Sequence, residues 1–194
     1  MTEELRIDSH HRLNVARWLA SSHHAPRPHW AQPELVVIHC ISLPEGHYGG
    51  GAPQRLFTGD LDCAEHASFA DLEGVRVSAH LFIDRQGAVD QFVGFDQQAW
   101  HAGLSMWRGR GGCNAFSIGI ELEGKVGDGF TEAQYLRLEQ VLLALLNRYP
   151  SLSRDAVTGH ADIAPGRKED PGAGFDWQRI LVALHREPGP SKTD

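Results

Sequence analysis

The sequence predicts a mixed α/β (α+β) fold in which a single mixed central β-sheet is flanked by helices. Three observations support this class: several short β-branched runs have the length of strands, two longer segments carry a helical apolar period, and the two kinds of segment do not alternate as regular βαβ units. With 194 residues, 41% hydrophobic and 22% charged, the chain suits one domain over 1–194. We expect flexible ends over 1–10 and 188–194.

The first part of the chain predicts a short helix, a buried strand and a long loop. The short helix falls at about 11–20. The run ELVVIHCIS at 34–42 is β-branched and apolar, which is typical of a central strand buried on both faces. Residues 43–74 are rich in Gly, Pro and Asp and predict a loop with one short helix at 52–58. Because long loops in compact domains are usually functional, we expect a mobile flap over 44–74.

The middle of the chain predicts a hairpin, a loop and a further strand. The segments RVSAHLFI (76–83) and AVDQFVGF (88–95) are joined by the turn DRQG (84–87), a pattern typical of a β-hairpin. A tryptophan-containing loop follows over 96–115. The segment FSIGIELEG (116–124) is the next predicted strand.

Two amphipathic helices are predicted in the last third. The first begins at Thr131, which forms a capping box with Gln134, and ends before Pro150. Its apolar residues recur on one helical face, at positions 135, 138, 142, 145 and 149. A short strand near 156–159 follows. The segment FDWQRILVALHRE closes the chain as the second helix, with its apolar side formed by Trp177, Ile180, Leu181 and Leu184.

Composition and charge argue against several functional classes. The formal net charge of −7 does not support general nucleic-acid binding. No apolar run approaches the roughly 20 residues that cross a bilayer, and the N-terminal segment lacks the pattern of a signal peptide. The 3 cysteines have no paired spacing and fit a reduced, cytoplasmic chain. We therefore expect a cytoplasmic monomer without nucleic-acid or membrane partners.

Three residues have the side chains of a zinc site. His39 lies in a buried strand, where an unpartnered imidazole is costly. His160 and Asp170 lie in VTGHADIAPGRKEDPGAGFDW, whose two Pro-Gly turns can bring Asp170 back towards His160. Two imidazoles and one carboxylate would leave a fourth coordination position open, as in catalytic zinc sites. On spacing alone, a hydrogen-bonded core histidine at position 39 remains the alternative.

Glu121 and Lys168 are candidate catalytic residues. Strand alternation places Glu121 on one face with Gly119 and Glu123, which favours a cleft wall. Beside a metal ion, Glu121 could act as a general base and Lys168 could stabilise an oxyanion. The alternatives are a solvated sheet face for the glutamates and a surface position for the lysine. His80 is either a neighbour of the metal ligands or a satisfied buried histidine.

Other residues are candidates for the wall of a cleft. The motif AWHAG combines Trp100 with an imidazole and a glycine, so it forms either a ligand-contacting wall or a packed loop. Trp107 and Arg110 either line the same cleft or are solvated. Cys40 could add a fourth metal ligand, although strand alternation points it away from the first one.

Five segments together resemble the zinc-dependent N-acetylmuramoyl-L-alanine amidases of the type 2 superfamily. They are VVIHCISLPEGHYGG, RVSAHLFIDRQG, AWHAG, CNAFSIGIELEG and TGHADIAPGRKEDPG, within about residues 13–182. The resemblance implies a mixed sheet with helices on its faces and zinc at the edge of an open groove. It also implies specific roles: zinc ligands His39, His160 and Asp170, catalytic acid Glu121, and a carbonyl-polarising lysine, Lys168.

The resemblance further implies a substrate, the anhydro-muropeptides of cell-wall recycling, cut between the lactyl carboxyl of the muramic acid and L-alanine. Arg76 and Trp100 lie in motifs that flank the substrate cleft. Two positions depart from the family: Cys40 replaces an Asn that contacts substrate, and Gly112 replaces a basic residue whose place Arg110 could take. The alternatives are an amidase of intact peptidoglycan and a muropeptide-binding module without catalysis.

Overall fold

The computed structural model describes residues 4–186 and has a six-stranded mixed sheet at its centre. Along these residues the strands are β1 (Arg17–Trp18), β2 (His24–Pro26), β3 (Leu35–Ile41), β4 (Leu81–Ile83), β5 (Val89–Gln91), β6 (Gln97–Ala99), β7 (Met106–Trp107), β8 (Arg110–Gly111), β9 (Ser117–Glu123) and β10 (Val157–Gly159). The α-helices are α1 (Ala52–Thr58), α2 (Glu132–Arg148), α3 (His160–Ile163) and α4 (Trp177–His185). The predicted fold class, a mixed sheet with flanking helices, is confirmed.

The central sheet has the strand order β1-β5-β4-β9-β3-β10. The predicted hairpin strands β4 and β5 are antiparallel, whereas all other neighbours in this sheet run parallel. β3 and β9 pair along their whole length, from Leu35 beside Ser117 to Ile41 beside Glu123. β3, β9 and β10 therefore end at the same edge of the sheet, which is where open α/β sheets place their ligands.

The two faces of β3 and β9 have different neighbours. One face packs against α2 and α4 in the largest core cluster, to which the two strands contribute Val36, Ile38, Ile118, Ile120 and Leu122. On the other face, Leu35 and Val37 pack with Phe116 and Ile163 in a smaller cluster. Leu35, Val37 and Ile38 are fully buried. The prediction that this strand is buried on both faces is confirmed.

α2 confirms the predicted capping box and apolar face. The Thr131 side chain accepts a hydrogen bond from Gln134 N at 3.1 Å, and the Gln134 side chain accepts one from Thr131 N at 3.0 Å. These bonds satisfy two amides that the first helical turn leaves unpaired. The predicted apolar positions are all buried, namely Tyr135, Leu138, Leu142, Leu145 and Tyr149. The helix ends at Arg148, before Pro150.

The predicted helix over 11–20 is wrong. The chain there is extended at β1, which pairs in parallel with β5 at the edge of the sheet. Leu19 N donates to Gln91 O at 2.9 Å, which continues this pairing. His11 has a left-handed φ of 58°, which a regular helix does not accommodate. Pairing with a strand far along the chain thus overrides the local helical pattern.

Four predicted segments differ in detail from the structure. In the predicted strands 76–83 and 88–95, only Leu81–Ile83 pairs as β4 and only Val89–Gln91 as β5. The predicted loop 43–74 contains the expected helix at 52–58 and two additional 3-10 segments, Cys63–Glu65 and Ala67–Leu72. The predicted loop 96–115 contains the short strands β6, β7 and β8 and a 3-10 turn. Both loops are therefore more regular than their composition suggests.

α4 confirms only part of its predicted apolar side. Ile180 and Leu184 are fully buried, and Trp177 packs against the largest core cluster. Leu181 is 47% exposed, because successive helical residues differ by about 100° in direction. Leu181 therefore belongs to the solvent side of the helix.

The ends of the chain fall partly outside the described residues. Residues 1–3 and 187–194 are not described, so the expected flexible end over 188–194 is not described either. Within the other expected flexible end, Leu5 and Ile7 pack against the largest core cluster. Across residues 4–186, no helix has both the length and the apolar character needed to cross a membrane.

Candidate metal centre

Three side chains from distant parts of the sequence converge at the carboxyl edge of the central sheet. Nδ1 of His39 lies 2.9 Å from Nδ1 of His160 and 3.0 Å from Oδ2 of Asp170, and the latter two atoms are 3.1 Å apart. Within residues 4–186, these are the His, Cys, Asp and Glu side chains whose ligand atoms lie close enough together to hold a metal ion. The structure thus assembles the predicted triad.

The register of the sheet places the two histidines. His39 lies near the C-terminal end of β3, beside Glu121 of β9. β10 pairs with β3 up to Gly159, which lies beside Ile38. The chain then turns into α3, whose first residue is His160. The histidines meet because they lie where two neighbouring parallel strands end.

The loop after α3 returns Asp170 to His160. Gly166 and Gly172 have φ angles of 75° and 84°, a left-handed region that glycine enters at little cost. Each follows a proline, as the two predicted Pro-Gly turns require. Ala161 N donates to Asp170 O at 2.9 Å, which fastens the returning chain to the start of α3.

The neighbours of the imidazoles leave their Nδ1 atoms available to a cation. Nε2 of His160 lies 3.2 Å from Ala102 O. The carbonyl only accepts, whereas Arg167 Nη2, 3.3 Å from the same nitrogen, only donates, so Nε2 is occupied by these two groups and Nδ1 is the ring atom that faces Asp170. Nε2 of His39 lies 2.9 Å from Nδ1 of His101. Two imidazole nitrogens and one carboxylate oxygen at these separations are the donor set that suits zinc and related transition metals.

Burial and mutual contact keep two of the ligands in the forms that coordinate metal. His39 is 2% exposed, and burial lowers its pKa to about 4, although its contact with Asp170 acts in the opposite direction. Burial alone would raise the pKa of Asp170, but its contacts with His160 and His39 outweigh this and hold the pKa below its usual value. At neutral pH, His39 is therefore a neutral imidazole and Asp170 a carboxylate.

Glu121 is a buried carboxylate that lacks partners. It is 8% exposed, and its Oε2 atom is buried without a hydrogen bond. Burial raises the pKa of Glu121 well above its usual value; Asp170 raises it further, and Lys168 opposes the rise. Since buried polar atoms are almost always hydrogen-bonded, this oxygen indicates a functional group. A solvated face, the alternative for both glutamates, is wrong, because Glu123 is also buried.

A cavity of about 300 Å³ joins these groups. Its polar lining consists of His39, Cys40, Ser78, His101, Glu121, His160, Lys168 and Asp170, and Trp100 also lines it. Leu56, Phe57 and Leu72, from the predicted loop 43–74, form part of its apolar wall. The loop therefore borders the site, and its motion as a flap stays a prediction.

Comparison with known proteins identifies the family. Residues 29–173 match the family model described as N-acetylmuramoyl-L-alanine amidase. The chain belongs to the N-acetylmuramoyl-L-alanine amidase family. Amidase activity accompanies this membership, and the resemblance stated from five sequence segments is confirmed.

Individual members of the amidase family show how far the similarity extends. The 1,6-anhydro-N-acetylmuramyl-L-alanine amidase AmpD of Escherichia coli is 47% identical over an alignment of 176 residues, and the match covers 88% of this chain and 96% of that protein. A crystal structure of AmpD, as a selenomethionine derivative, matches with a TM-score of 0.87 at 47% identity and covers 90% of this chain and 97% of that chain.

A more distant amidase has been solved with its substrate. AmiD from Escherichia coli, in complex with anhydro-N-acetylmuramic acid-L-Ala-D-gamma-Glu-L-Lys, matches with a TM-score of 0.58 at 27% identity. The match covers 93% of this chain and 65% of the AmiD chain.

Arg76 and Trp100, two predicted substrate contacts of this amidase, lie together. The Arg76 guanidinium is 5.5 Å from the centre of the Trp100 ring, whose other neighbour is the stacked ring of His23 at 6.1 Å. Trp100 lines the metal-side cavity, whereas Arg76 lines an adjoining one of about 450 Å³. The two cavities share Leu56, Leu72 and Val75, so the pair stands where they meet.

The structure does not bring Arg110 to the amidase cavity. Its guanidinium donates to Glu34 at 2.6 Å and lies over the Phe116 ring at 3.9 Å, and Arg110 lines neither cavity. We therefore correct the suggestion that Arg110 takes the place of a basic residue at Gly112 and contacts substrate. Gly112 itself has a left-handed φ of 72°, which favours glycine. Trp107 likewise lies away from both cavities, with Arg108 over its ring.

Cys40 and His80 have definite places in the structure. Cys40 lines the cavity, and its Sγ is 3.8 Å from Pro171 O. It is not part of the ligand group, so the structure gives no support for a fourth protein ligand. His80 is fully buried and satisfied: its Nδ1 accepts from Gly119 N at 3.0 Å and its Nε2 donates to Gln97 O at 3.1 Å.

The contact of His101 with His39 was not predicted from the sequence. Its ring contacts His39 directly, although it lies 62 positions further along the chain. The signals that point to it are the imidazole in AWHAG and an otherwise unexplained glycine, Gly119, in the predicted strand of Glu121. Neither signal predicts that the rings of His39 and His101 are in contact.

Proposed function

We propose that this amidase is zinc-dependent and cleaves the amide bond between 1,6-anhydro-N-acetylmuramic acid and L-alanine in muropeptides, as part of peptidoglycan recycling. One observation carries the proposal: a group of three metal ligands and a buried carboxylate without partners lie in the same cavity. The name of the AmpD relative and its close fold match support the choice of bond and sugar.

Zinc is the metal we propose, because the residues fit it. His39, His160 and Asp170 supply two nitrogens and one oxygen, the number of protein ligands that leaves catalytic zinc with an open position. When bound, zinc would supply Lewis acidity, which lowers the pKa of water and polarises an amide carbonyl. The rest of the protein would hold the three ligand side chains in place and in their metal-binding protonation states.

Glu121 is the proposed general base and acid. Its position beside His39 in the paired strands brings its carboxylate to the triad. Burial and the nearby charge of Asp170 raise its pKa, which strengthens it as a proton acceptor at the pH where it works. Glu121 would take a proton from the attacking water and then deliver it to the nitrogen of L-alanine, so that the amine leaves uncharged.

Lys168 is the proposed stabiliser of the oxyanion. It lines the cavity, and its charge acts on both His39 and Glu121. Negative charge develops on the carbonyl oxygen as water adds to an amide, and a cation held there favours the transition state over the ground state. Trp100 and Arg76, stacked where the two cavities meet, are the proposed contacts for the rest of the muropeptide, with Cys40 on the metal side.

Two rival functions are disfavoured by particular observations. A module that only binds muropeptide has no need of a complete ligand triad, and here the triad is assembled. An amidase of intact peptidoglycan would act outside the cytoplasm, where cysteines are usually paired; Cys40, Cys63 and Cys113 are free in the structure. We propose a cytoplasmic enzyme that works as a monomer.

The test combines metal content with substrate choice. Purified protein should contain about one zinc per chain by elemental analysis, and chromatography of reaction products should show free peptide from anhydro-muropeptide at a far higher rate than from intact sacculi. Zinc-loaded protein that cuts neither would contradict the enzymatic proposal. Faster release from sacculi would replace the proposed substrate with intact peptidoglycan.

A further inference from the structure

His101 joins one metal ligand to the backbone through a chain of hydrogen bonds. Its Nδ1 lies 2.9 Å from Nε2 of His39, and its Nε2 lies 3.1 Å from Oγ of Ser117. The Ser117 hydroxyl in turn donates to Cys113 O at 2.6 Å. Ser117 is fully buried, so water does not offer it another acceptor.

The donor and acceptor of each hydrogen bond in this series follow from its last group, Cys113 O. Cys113 O is a carbonyl and only accepts, so the Ser117 proton points to it. Ser117 Oγ then accepts from His101, which places the His101 proton on Nε2. Nδ1 of His101 therefore has a lone pair and accepts from His39 Nε2. With its proton on Nε2, the neutral ring of His39 has a lone pair on Nδ1, the atom that faces the metal site.

The surrounding backbone is shaped to hold His101 in this place. A Cβ atom on Gly119 would lie 2.4 Å from Cγ of His101, so only glycine at this point of β9 leaves room for the ring. Asn114 Oδ1 accepts from His101 N at 3.1 Å and from Ala102 N at 2.8 Å, which fixes the loop that carries it. Gly119 has no left-handed φ; its small size is what the site uses.

We propose that His101 is a positioning residue, which holds His39 in the Nε2-protonated tautomer and thereby presents Nδ1 to the metal. This inference rests on the proposed metal function. The two histidine ligands differ in these partners: Nε2 of His160 faces Ala102 O and the Arg167 guanidinium, whereas Nε2 of His39 faces the ring of His101. Partners of this kind typically change metal affinity about 10–100-fold when removed.

Two variants of matched shape test the proposal in the full-length protein. His101→Asn keeps an oxygen at the same number of bonds from Cα as Nδ1, so it still accepts from His39. His101→Leu has nearly the same branched shape but no acceptor. In zinc competition titrations against a chromophoric chelator, we expect His101→Leu to bind about 10–100-fold more weakly than the wild type, and His101→Asn to stay within a few-fold of it.

A spectroscopic measurement on the wild type gives the second readout. In zinc-loaded protein at mildly alkaline pH, long-range ¹H–¹⁵N spectra of the histidine rings should show His101 protonated on Nε2, which leaves its Nδ1 as the acceptor for His39. A Nδ1-protonated His101, or equal zinc affinity in His101→Leu and the wild type, would overturn the proposal. If His101→Leu does not fold, the wild-type tautomer and the affinity of His101→Asn decide it.

These readouts separate this inference from the proposed function. Wild-type protein that binds zinc but hydrolyses no muropeptide would contradict the proposed activity and leave the affinity comparison interpretable. Wild-type protein with the expected activity and a wild-type zinc affinity in His101→Leu would contradict the role of His101 alone.

Discussion

The two faces of the β3–β9 strand pair carry different kinds of side chain. On the face towards α2 and α4, the side chains that the pair contributes to the core are apolar and fully or almost fully buried, as at Ile38 and Ile120. On the other face, near the ends of the same strands, lie His39 and Glu121, which are buried and polar. The same backbone hydrogen bonds thus support a packed core on one side and a reactive group on the other.

Stability and chemistry therefore depend on different faces of the strand pair. Burial of apolar area stabilises the fold by about 25 cal/mol per Å², whereas a buried carboxylate without partners opposes folding. If this division is correct, substitutions on the polar face should lower turnover without unfolding the protein. Substitutions on the apolar face should lower the free energy of unfolding and leave the chemistry of folded molecules unchanged.

Asp170→Ala is expected to have the largest effect on turnover. It removes one of the three proposed metal ligands, so zinc content should fall far below one per chain and muropeptide hydrolysis should drop to background. Elemental analysis and a product assay measure both. Asp155→Ala, at a side chain that is 74% exposed, is the control and should keep metal and activity. Full hydrolysis by metal-free Asp170→Ala would contradict the proposed dependence of turnover on the metal.

Glu121→Gln should lower turnover by about 10²–10⁴-fold, because it removes the proposed proton acceptor while it keeps the shape of the side chain. Zinc content should stay near the wild-type value, which the same elemental analysis would show. Wild-type turnover in this variant would remove Glu121 from the mechanism and would leave its buried, unpartnered oxygen without a function.

Lys168→Ala should lower turnover by about 10²–10³-fold, the usual cost of losing one group that stabilises an oxyanion. Its metal content should not change, because Lys168 is not among the ligands. Glu169→Ala, at the exposed neighbouring position, is the matched control and should retain nearly full turnover. Equal turnover in both variants would argue against a catalytic lysine.

Ile120→Ala tests the apolar face. Ile120 is fully buried, so the variant should lose about 2–5 kcal/mol of unfolding free energy in urea titrations. The turnover of the molecules that remain folded should be unchanged. Leu143→Ala, at a position that is 39% exposed, should lose much less. A large fall in turnover for stably folded Ile120→Ala would show that the two faces are coupled.

The smallest expected effect is a pH-dependent gain of stability in metal-free Glu121→Gln. The pKa of Glu121 in the folded protein lies above its ordinary value of 4.5. The folded state therefore binds the proton more tightly than the unfolded chain, and this stability is present below about pH 4.5 and lost as the pH rises through the folded pKa. Gln has no such loss. The difference in Tm between the variant and the wild type should grow from acidic to neutral pH; a constant difference would contradict the assignment.

Local sequence patterns correctly predicted the elements whose conformation depends mainly on their own side chains. The apolar run around His39 predicted β3, and Thr131 with Gln134 predicted the start of α2. The helix expected over 11–20 failed because β1 pairs with β5, a contact between distant segments. Nothing in the local sequence reports such a contact.

The site residues whose type is restricted by metal chemistry could be predicted from the sequence. Residues whose role depends on long-range contacts were predicted less well. Two histidines and an aspartate are a recognisable ligand set, and the Pro-Gly turns indicated how Asp170 returns. Arg110 was misplaced because Glu34, its actual partner, lies 76 positions away. His101 went unassigned for the same reason, since its contacts with His39 and Ser117 exist only in the folded sheet.

The register between β3 and β9 has a consequence for how substrate preference can change. Because His39 and Glu121 sit side by side on paired strands, the separation of their backbones is set by the strand spacing of about 4.8 Å. This separation does not depend on the length of any loop. The residues that shape the apolar wall, such as Leu56 and Leu72, belong to a separate segment. We therefore expect that grafting this segment from a relative would change muropeptide preference and leave the pairing of His39 with Glu121 intact.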